Sequence, residues 1–185
     1  ASISSYKSAN GWQEFSNILP LKEIIASGMC GEKLTWEFTN YGELLIDGSG
    51  DMYNYLISSD IPWYEYREEI KEVTINEGVT SIGDYAFMNC MFGSVLIPSS
   101  ISSIGKNAFG HCDILQYETY KNAFYLGSIS NQYYALIETN DITITSCQIN
   151  ENTKVIAAGV FQGCNKLTSV TIPNSVKSIG ERDFY

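Results

Sequence analysis

Apolar residues recur at fixed distances along residues 73–185. Four isoleucines, which we call anchors, each have a phenylalanine five residues later and another isoleucine seven residues earlier. The anchors are Ile82, Ile104, Ile156 and Ile179, and a cysteine stands eight residues after each of the first three. The anchors are separated by 22, 52 and 23 residues, which indicates a repeat with one insertion.

Each repeat predicts a short strand. Val73 and Ile75 stand nine and seven residues before Ile82, and residues two apart face the same side of a strand. Pro98 and Pro173 follow such strands directly, where a missing N–H marks a strand end. About five buried apolar groups contribute roughly 1.5–3 kcal/mol each. Ordering the residues of one repeat costs more, at roughly 1–2 kcal/mol per residue. The repeats must therefore stack into a solenoid of short parallel strands.

The residue pattern of these repeats is similar to that of a known family. Val73–Cys90, Val95–Cys112 and Val170–Phe184 follow V-x-I-P-x-x-V-x-S-I-G-x-x-A-F-x-x-C. This resembles the BspA-type leucine-rich repeat, with departures at Asn76 for proline and at Asp183 for alanine. The resemblance implies an α/β-type repeat solenoid, here a leucine-rich repeat with short parallel strands. It also implies an extracellular or cell-surface protein, as in anaerobic bacteria and some protists.

The resemblance suggests three parts of the chain. Residues 1–28 resemble the closing segment of a preceding array or a linker, and a helical turn is predicted over Ala9–Asn17. Residues 29–70 resemble an N-terminal cap, and residues 71–185 form the repeat solenoid, with an insertion at about residues 116–145.

Two β-hairpins are predicted from alternating polarity. Leu34–Phe38 and Glu43–Ile46 flank a turn in the cap. Ala123–Leu126 and Tyr133–Glu138 flank a loop in the insertion, and we expect this second hairpin to project from the stack. The final coil stops at Phe184 with an open edge, which predicts either head-to-tail self-association of copies or a C-terminal continuation.

Composition and charge exclude some classes of function. Apolar residues make up 44% of the chain and charged residues 17%, and the formal net charge is −10. The negative charge argues against nucleic acid as a partner. No apolar run approaches the roughly 18 residues of a membrane-spanning helix, so membrane insertion is not expected.

The pattern of the cysteines and the single histidine, His111, favours structural roles for these residues over catalytic ones. Cys90, Cys112 and Cys164 share one column, and Cys147 stands where other repeats have valine, so buried structural thiols are expected. Disulfides between coils remain an alternative, although five cysteines cannot all pair. No C-x-x-C occurs, so no metal site is predicted and no cofactor is expected. A Cys–His catalytic pair is disfavoured because neighbouring residues on a turn point apart.

Candidate binding residues fall into two groups. The first is aromatic and belongs to the insertion, where tyrosines either pack the hairpin onto the solenoid or form an outward contact face: Tyr120, Tyr125, Tyr133 and Tyr134. The second is the outward row of the predicted strands: Thr74, Leu96, Gln148 and Thr171. Asp47–Asp51 faintly resembles a calcium loop but lacks a full set of oxygen ligands, so a turn is expected there.

Two functions therefore remain open. The first, implied by the family resemblance, is a non-enzymatic interaction or adhesion module that binds a protein or glycan through the solenoid face and the aromatic insertion. The second is a structural spacer within a larger enzyme or adhesin, with no ligand of its own. Neither the strands nor the glycine-rich turns supply the groups that catalysis or phosphate binding requires.

Overall fold

The solenoid contains almost no helix. The computed structural model describes residues 3–9 and 19–181. Within these ranges, helix is confined to α1 (Ile3–Lys7) and to single 3₁₀ turns at Ser58–Asp60 and Tyr64–Tyr66. The predicted α/β character is therefore not confirmed. The helical turn expected over Ala9–Asn17 lies, apart from its first residue, outside the described residues, as do Asp183 and Phe184.

The backbone after each anchor explains why no helix forms there. We number the coils one to four by their anchors, Ile82, Ile104, Ile156 and Ile179. Three and seven residues after an anchor, the chain adopts a positive φ in each of the first three coils. These residues are Tyr85 and Asn89, Asn107 and His111, and Gly159 and Gly163. A left-handed residue every four positions prevents a right-handed helix and produces a series of turns.

The N-terminal strands form a sheet that leads into the first coil. Strands β1 (Ile24–Met29), β2 (Leu34–Thr39) and β3 (Glu43–Gly48) pair antiparallel in order, which confirms the hairpin pairing predicted for residues 34–46. Strand β3 then pairs in parallel with β5 (Glu72–Ile75), the first strand of coil one, so the sheet order is β1-β2-β3-β5. That this hairpin acts as a cap remains a prediction.

The remaining strands are short and mostly parallel, as predicted. They are β4 (Gly50–Asp51), β5 (Glu72–Ile75), β6 (Val79–Ile82), β7 (Ser103–Ile104), β8 (Glu118–Tyr120), β9 (Ala123–Ser128), β10 (Asn131–Thr139), β11 (Ser146–Gln148), β12 (Val155–Ile156), β13 (Ser169–Thr171) and β14 (Ser178–Ile179). Parallel pairs join β6 to β7, β11 to β13 and β12 to β14.

Coils one and two are closely joined where their anchor strands meet. Ile82 lies opposite Ile104 in the β6–β7 pair, and the N–H of Gly105 donates to the carbonyl oxygen of Ile82 at 2.8 Å. The rings of Phe87 and Phe109 stack with centroids 5.4 Å apart. We call this part of the coils, formed by β6, β7 and the phenylalanine rings, the anchor side.

The insertion is a hairpin, as predicted, but it does not project from the stack. Strands β9 and β10 pair antiparallel, and β10 also pairs in parallel with β12, placing Leu136 opposite Ile156. Leu126, Ala135 and Leu136 are buried. The expectation of a projecting hairpin is therefore wrong. The apolar side chains of β10 take the place of a coil in the stack, because burial there stabilises them more than exposure in a free hairpin would.

Candidate binding groove on the strand face

The outward row of strand residues is exposed, as the alternation predicted. Thr74, Leu96, Gln148 and Thr171 are all exposed, whereas the residues on either side of the first three are buried. We call this row the strand face. Its alternation follows from the two-residue period of extended chain, which sends every second side chain into the core.

The insertion divides the strand face into two halves. On one side, the N–H of Ile97 donates to the carbonyl oxygen of Gly127 in β9 at 2.8 Å. On the other side, the Nδ2 of Asn122 donates to the carbonyl oxygen of Ser146 in β11 at 2.9 Å. Thr74 and Leu96 therefore belong to one half, and Gln148 and Thr171 to the other, where β11 and β13 pair directly. The sequence columns did not reveal this division.

A groove of about 530 Å³ lies in the half that contains Thr74 and Leu96. One wall is residues 72–77, the opposite wall is residues 94–99, and the loop Ser128–Ser130 lies beside them. Two apolar side chains at the groove are exposed: Leu96 at 57% and Ile129 at 93%. The volume is within the range of roughly 300–1,000 Å³ that is common for ligand sites in proteins.

Side chains, and not paired backbones, join the two walls at one end of the groove. The carboxylate of Glu77 accepts hydrogen bonds from the N–H groups of Ser99 and Ser100 at 2.8 and 3.0 Å. The Ser100 hydroxyl donates to the carbonyl oxygen of Val79 at 2.7 Å. The hydrogen bonds from Ser99 and Ser100 lower the pKa of Glu77, so this carboxylate is ionised at neutral pH. The groove therefore carries a fixed negative charge at this end.

Two of the four candidate tyrosines are buried and are not part of an exposed surface. Tyr125 is fully buried, and its hydroxyl accepts a hydrogen bond from the N–H of Asn150 at 3.3 Å. Burial raises the pKa of Tyr125 to about 12. Tyr134 is also buried, and its hydroxyl donates to the carbonyl oxygen of Ser99 at 2.9 Å. The assignment of these two as binding residues is corrected, because both attach the insertion to neighbouring coils.

Tyr120 and Tyr133 remain candidates for binding. Both side chains are partly exposed, and their rings meet edge to face with centroids 5.9 Å apart. Tyr133 also packs against the buried ring of Tyr125 at 5.5 Å. Each tyrosine therefore has one part fixed by packing and another accessible to solvent, an arrangement suited to a contact surface.

All five cysteines are buried and unpaired. Cys112 donates through its S–H to the carbonyl oxygen of Phe87 at 3.0 Å, and burial raises the pKa of this thiol to about 12. A reactive cysteine requires a lowered pKa, so Cys112 is held in its unreactive form. The prediction of structural thiols is confirmed, and disulfides between coils are absent from the structure.

His111 has a backbone role that the sequence reasoning missed. It is exposed, as expected, and has a φ of 57°. Asn89 occupies the same place in coil one with a φ of 62°, and Gly163 occupies it in coil three with a φ of 83°. Asparagine, histidine and glycine are enriched in this conformation. The recurrence of such residues seven positions after the anchor was the signal that could have identified the turn.

The described residues contain no cluster of three or more side chains suited to hold a metal ion. In the loop that resembled a calcium site, Asp47 accepts a hydrogen bond from Asn76, and Asp51 accepts one from Thr80. Both carboxylates thus bind the next coil. Along the described chain, no helix has both the length and the apolar character needed to cross a membrane.

The stacked coils, their parallel strands and the buried isoleucine and phenylalanine columns define a leucine-rich repeat solenoid. The family model described as "BspA type Leucine rich repeat region" matches residues 61–185 in six copies, and the chain belongs to this family. Repeats of this kind generally mediate protein interactions and are typically not enzymes.

A solved structure of another leucine-rich repeat protein is similar to this chain. The chain is 21% identical to a leucine-rich repeat protein from Eubacterium ventriosum ATCC 27560, solved at 2.50 Å resolution, with a TM-score of 0.44. The match covers 86% of this chain and 63% of that protein, so the chain spans less than two thirds of its length. No curated protein matched the chain.

Proposed function

We propose that this chain is a non-enzymatic binding module of an extracellular or cell-surface bacterial protein, and that it recognises a protein or glycan. The main contact is the groove half of the strand face, with Thr74, Leu96 and Ile129. The observation that carries the proposal is the groove itself, because two exposed apolar side chains stand beside a concave surface between two coils. Concave sites lined mainly by apolar side chains with a few polar groups are typical of ligand binding in proteins.

The second half of the strand face extends the proposed contact. Gln148 and Thr171 offer an amide and a hydroxyl, and Tyr120 and Tyr133 offer partly exposed rings from the insertion. These groups suit a polar rim that surrounds an apolar centre, as in many protein interfaces. The proposal of a binding function without chemistry is supported by the unreactive state of Cys112.

The experiment is a binding screen of the whole chain against a glycan array and a panel of purified extracellular proteins. Any partner found is then tested with Leu96→Asp combined with Ile129→Asp. We expect the affinity to fall by about tenfold or more, since charges would replace the apolar centre of the contact. Leu56→Asp is the matched control, because Leu56 is 84% exposed and is not one of the residues that line the groove.

Two results would count against the proposal. Equal affinity of the parent and the double variant would show that the groove half is not the contact. The absence of any partner in both screens would favour the structural spacer. Parallel circular dichroism spectra of the three proteins would establish that the substitutions leave the fold intact.

A further inference from the structure

Strand β5 has one unpaired edge, and that edge faces the groove. The N–H groups of Glu72 and Asn76 donate to the carbonyl oxygens of Gly42 and Ile46 at 3.3 and 3.0 Å, so these alternate residues bind β3. In an extended chain the intervening residues direct their N–H and C=O groups to the opposite side. Strand β5 is last in its sheet, so among the described residues no strand meets this second edge.

The opposite wall of the groove also presents backbone groups. The alternate burial of Val95, Leu96 and Ile97 indicates an extended chain from residue 95 to residue 97. The N–H of Ile97 is directed away from β5, towards Gly127. In an extended chain, the N–H and C=O of Leu96 then point towards β5. No backbone hydrogen bond joins residues 94–97 to β5 in the described chain.

The charged side chains that line the groove have one sign, while Lys22, which is paired with Glu43, interacts with Glu72 from outside the lining. The lining includes Glu72 and Glu77 and no lysine or arginine. The Glu72 side chain is exposed on the same side of β5 as that of Thr74. With a net charge of −10 on the whole chain, the electrostatic potential here favours a cationic ligand.

We propose that the groove binds an extended peptide segment with alternating basic and apolar residues, which adds to β5 as a new strand. The peptide backbone pairs with the N–H and C=O groups of Val73 and Ile75. Its apolar side chains point towards the core between the two coils, and its basic side chains point outward towards Glu72. Glycans lack the regular row of amide groups that such an edge recognises, whereas strand addition is a common mode of peptide binding. This inference rests on the proposed function and names the chemistry of its partner.

The test uses an acetylated and amidated heptapeptide in which valine alternates with lysine, titrated into the ¹⁵N-labelled chain. We expect saturable binding, shifts of the Val73 and Ile75 amide signals, and amide exchange slowed by about tenfold or more at these two residues. Two matched peptides serve as controls. One carries N-methyl groups on alternate amides of its pairing edge, and the other carries glutamate in place of lysine. Each control peptide should bind with an affinity lower by about tenfold or more than that of the valine–lysine peptide.

Two charge-reversal variants test whether the charge of Glu72 contributes to peptide binding. Glu72→Lys should weaken binding of the lysine peptide and strengthen binding of the glutamate peptide, because it reverses the charge that faces the outward side chains of the peptide. Glu65→Lys, on an exposed 3₁₀ turn outside the groove lining, should change neither. The inference is overturned if the lysine peptide shows no binding up to about 1 mM. It is also overturned if the N-methylated peptide binds equally well, or if the Val73 and Ile75 signals stay unchanged at saturation.

The two proposals fail in different ways. If a partner from the screens loses affinity with the Leu96→Asp and Ile129→Asp variant while the valine–lysine peptide does not bind, the binding module stands and strand addition falls. If the peptide binds as described but the screened partner is insensitive to that variant, the groove is a peptide site and the proposed main contact for the screened partner is wrong.

Discussion

Coils one and two meet in two different ways on their two sides. On the anchor side, β6 and β7 pair directly and Phe87 stacks on Phe109 at 5.4 Å. On the strand side, β5 and residues 94–97 carry a similar V-x-I sequence but do not pair, and a groove of about 530 Å³ separates them. The same two coils are thus closed on one side and open on the other.

The difference is explained by what stands between the two backbones. On the anchor side Gly105 allows close approach, because a Cβ there would overlap backbone atoms of Gly83 and Asp84 in coil one. Gly83 allows a similar approach of coil one to Tyr53, in the segment that precedes it. At the end of the groove, the carboxylate of Glu77 and the hydroxyl of Ser100 are interposed and make the contacts. The backbone hydrogen bonds between coils one and two in the described chain therefore lie on the anchor side, and the facing backbone groups of the strand side do not pair with each other.

The largest expected effect is from Phe87→Ala. Phe87 is fully buried and lies between Trp63 and Phe109, with ring centroids 5.6 and 5.4 Å away. Removal of the ring would leave a cavity in the stack, and we expect the free energy of unfolding to fall by about 3–5 kcal/mol. Urea denaturation measures this. Phe87→Leu, which keeps much of the volume, should cost less, and equal losses for both would contradict the ring-stack explanation.

Gly83→Ala should have the next largest effect. The added Cβ would overlap the carbonyl oxygen of Tyr53, which is backbone and cannot rotate away. We expect a loss of about 1–3 kcal/mol by the same denaturation measurement. Gly93→Ala is the matched control, because nothing lies within 4 Å of its added Cβ. If both substitutions were equally mild, Gly83 would not be needed for the close approach of coil one to the segment that contains Tyr53.

The turn that follows the anchor side gives a smaller effect. His111 has a φ of 57°, a conformation that β-branched side chains strongly disfavour. We expect His111→Val to lower the free energy of unfolding by about 1–2 kcal/mol. His111→Gly should stay within about 0.5 kcal/mol of the parent, since relief of strain offsets the entropy of glycine. Calorimetric melting compares the two, and the opposite order would exclude the left-handed turn.

The strand side should tolerate substitution best. Leu96 is 57% exposed, so Leu96→Asp should change the free energy of unfolding by less than about 0.5 kcal/mol. A loss comparable to that of Phe87→Ala would mean that Leu96 packs in the core. The groove would then be narrower in solution than in the structure.

The sequence predicted the stack well because its signal is local and periodic. The buried columns of Ile82, Ile104, Phe87 and Phe109 could be found by counting, and so could the family. The positions of Tyr125 and Tyr134 could not, because alternation within a hairpin does not say which of its strands enters the sheet of another coil. Strand β10 does enter, through its pairing with β12, and both tyrosines become buried.

The groove could not be predicted from the sequence for a related reason. Val73-Thr74-Ile75 and Val95-Leu96-Ile97 have the same pattern, which predicts continuous pairing of coils one and two. The structure instead pairs Ile97 with Gly127 of the insertion. The partner of Ile97 thus lies in the insertion, 30 residues further along the chain. The insertion is not part of the repeat pattern, so periodicity cannot predict this pairing.

The most direct test of the open strand side is amide hydrogen exchange of the free chain, resolved by residue with NMR. The N–H groups of Asn76 and Gly105 donate to Ile46 and Ile82 and should be protected. Those of Val73 and Ile75 face the groove and should exchange about tenfold faster or more. Equal protection of Val73, Ile75 and Asn76 would show that β5 pairs with the second coil, and would contradict the open groove on which the proposed binding depends.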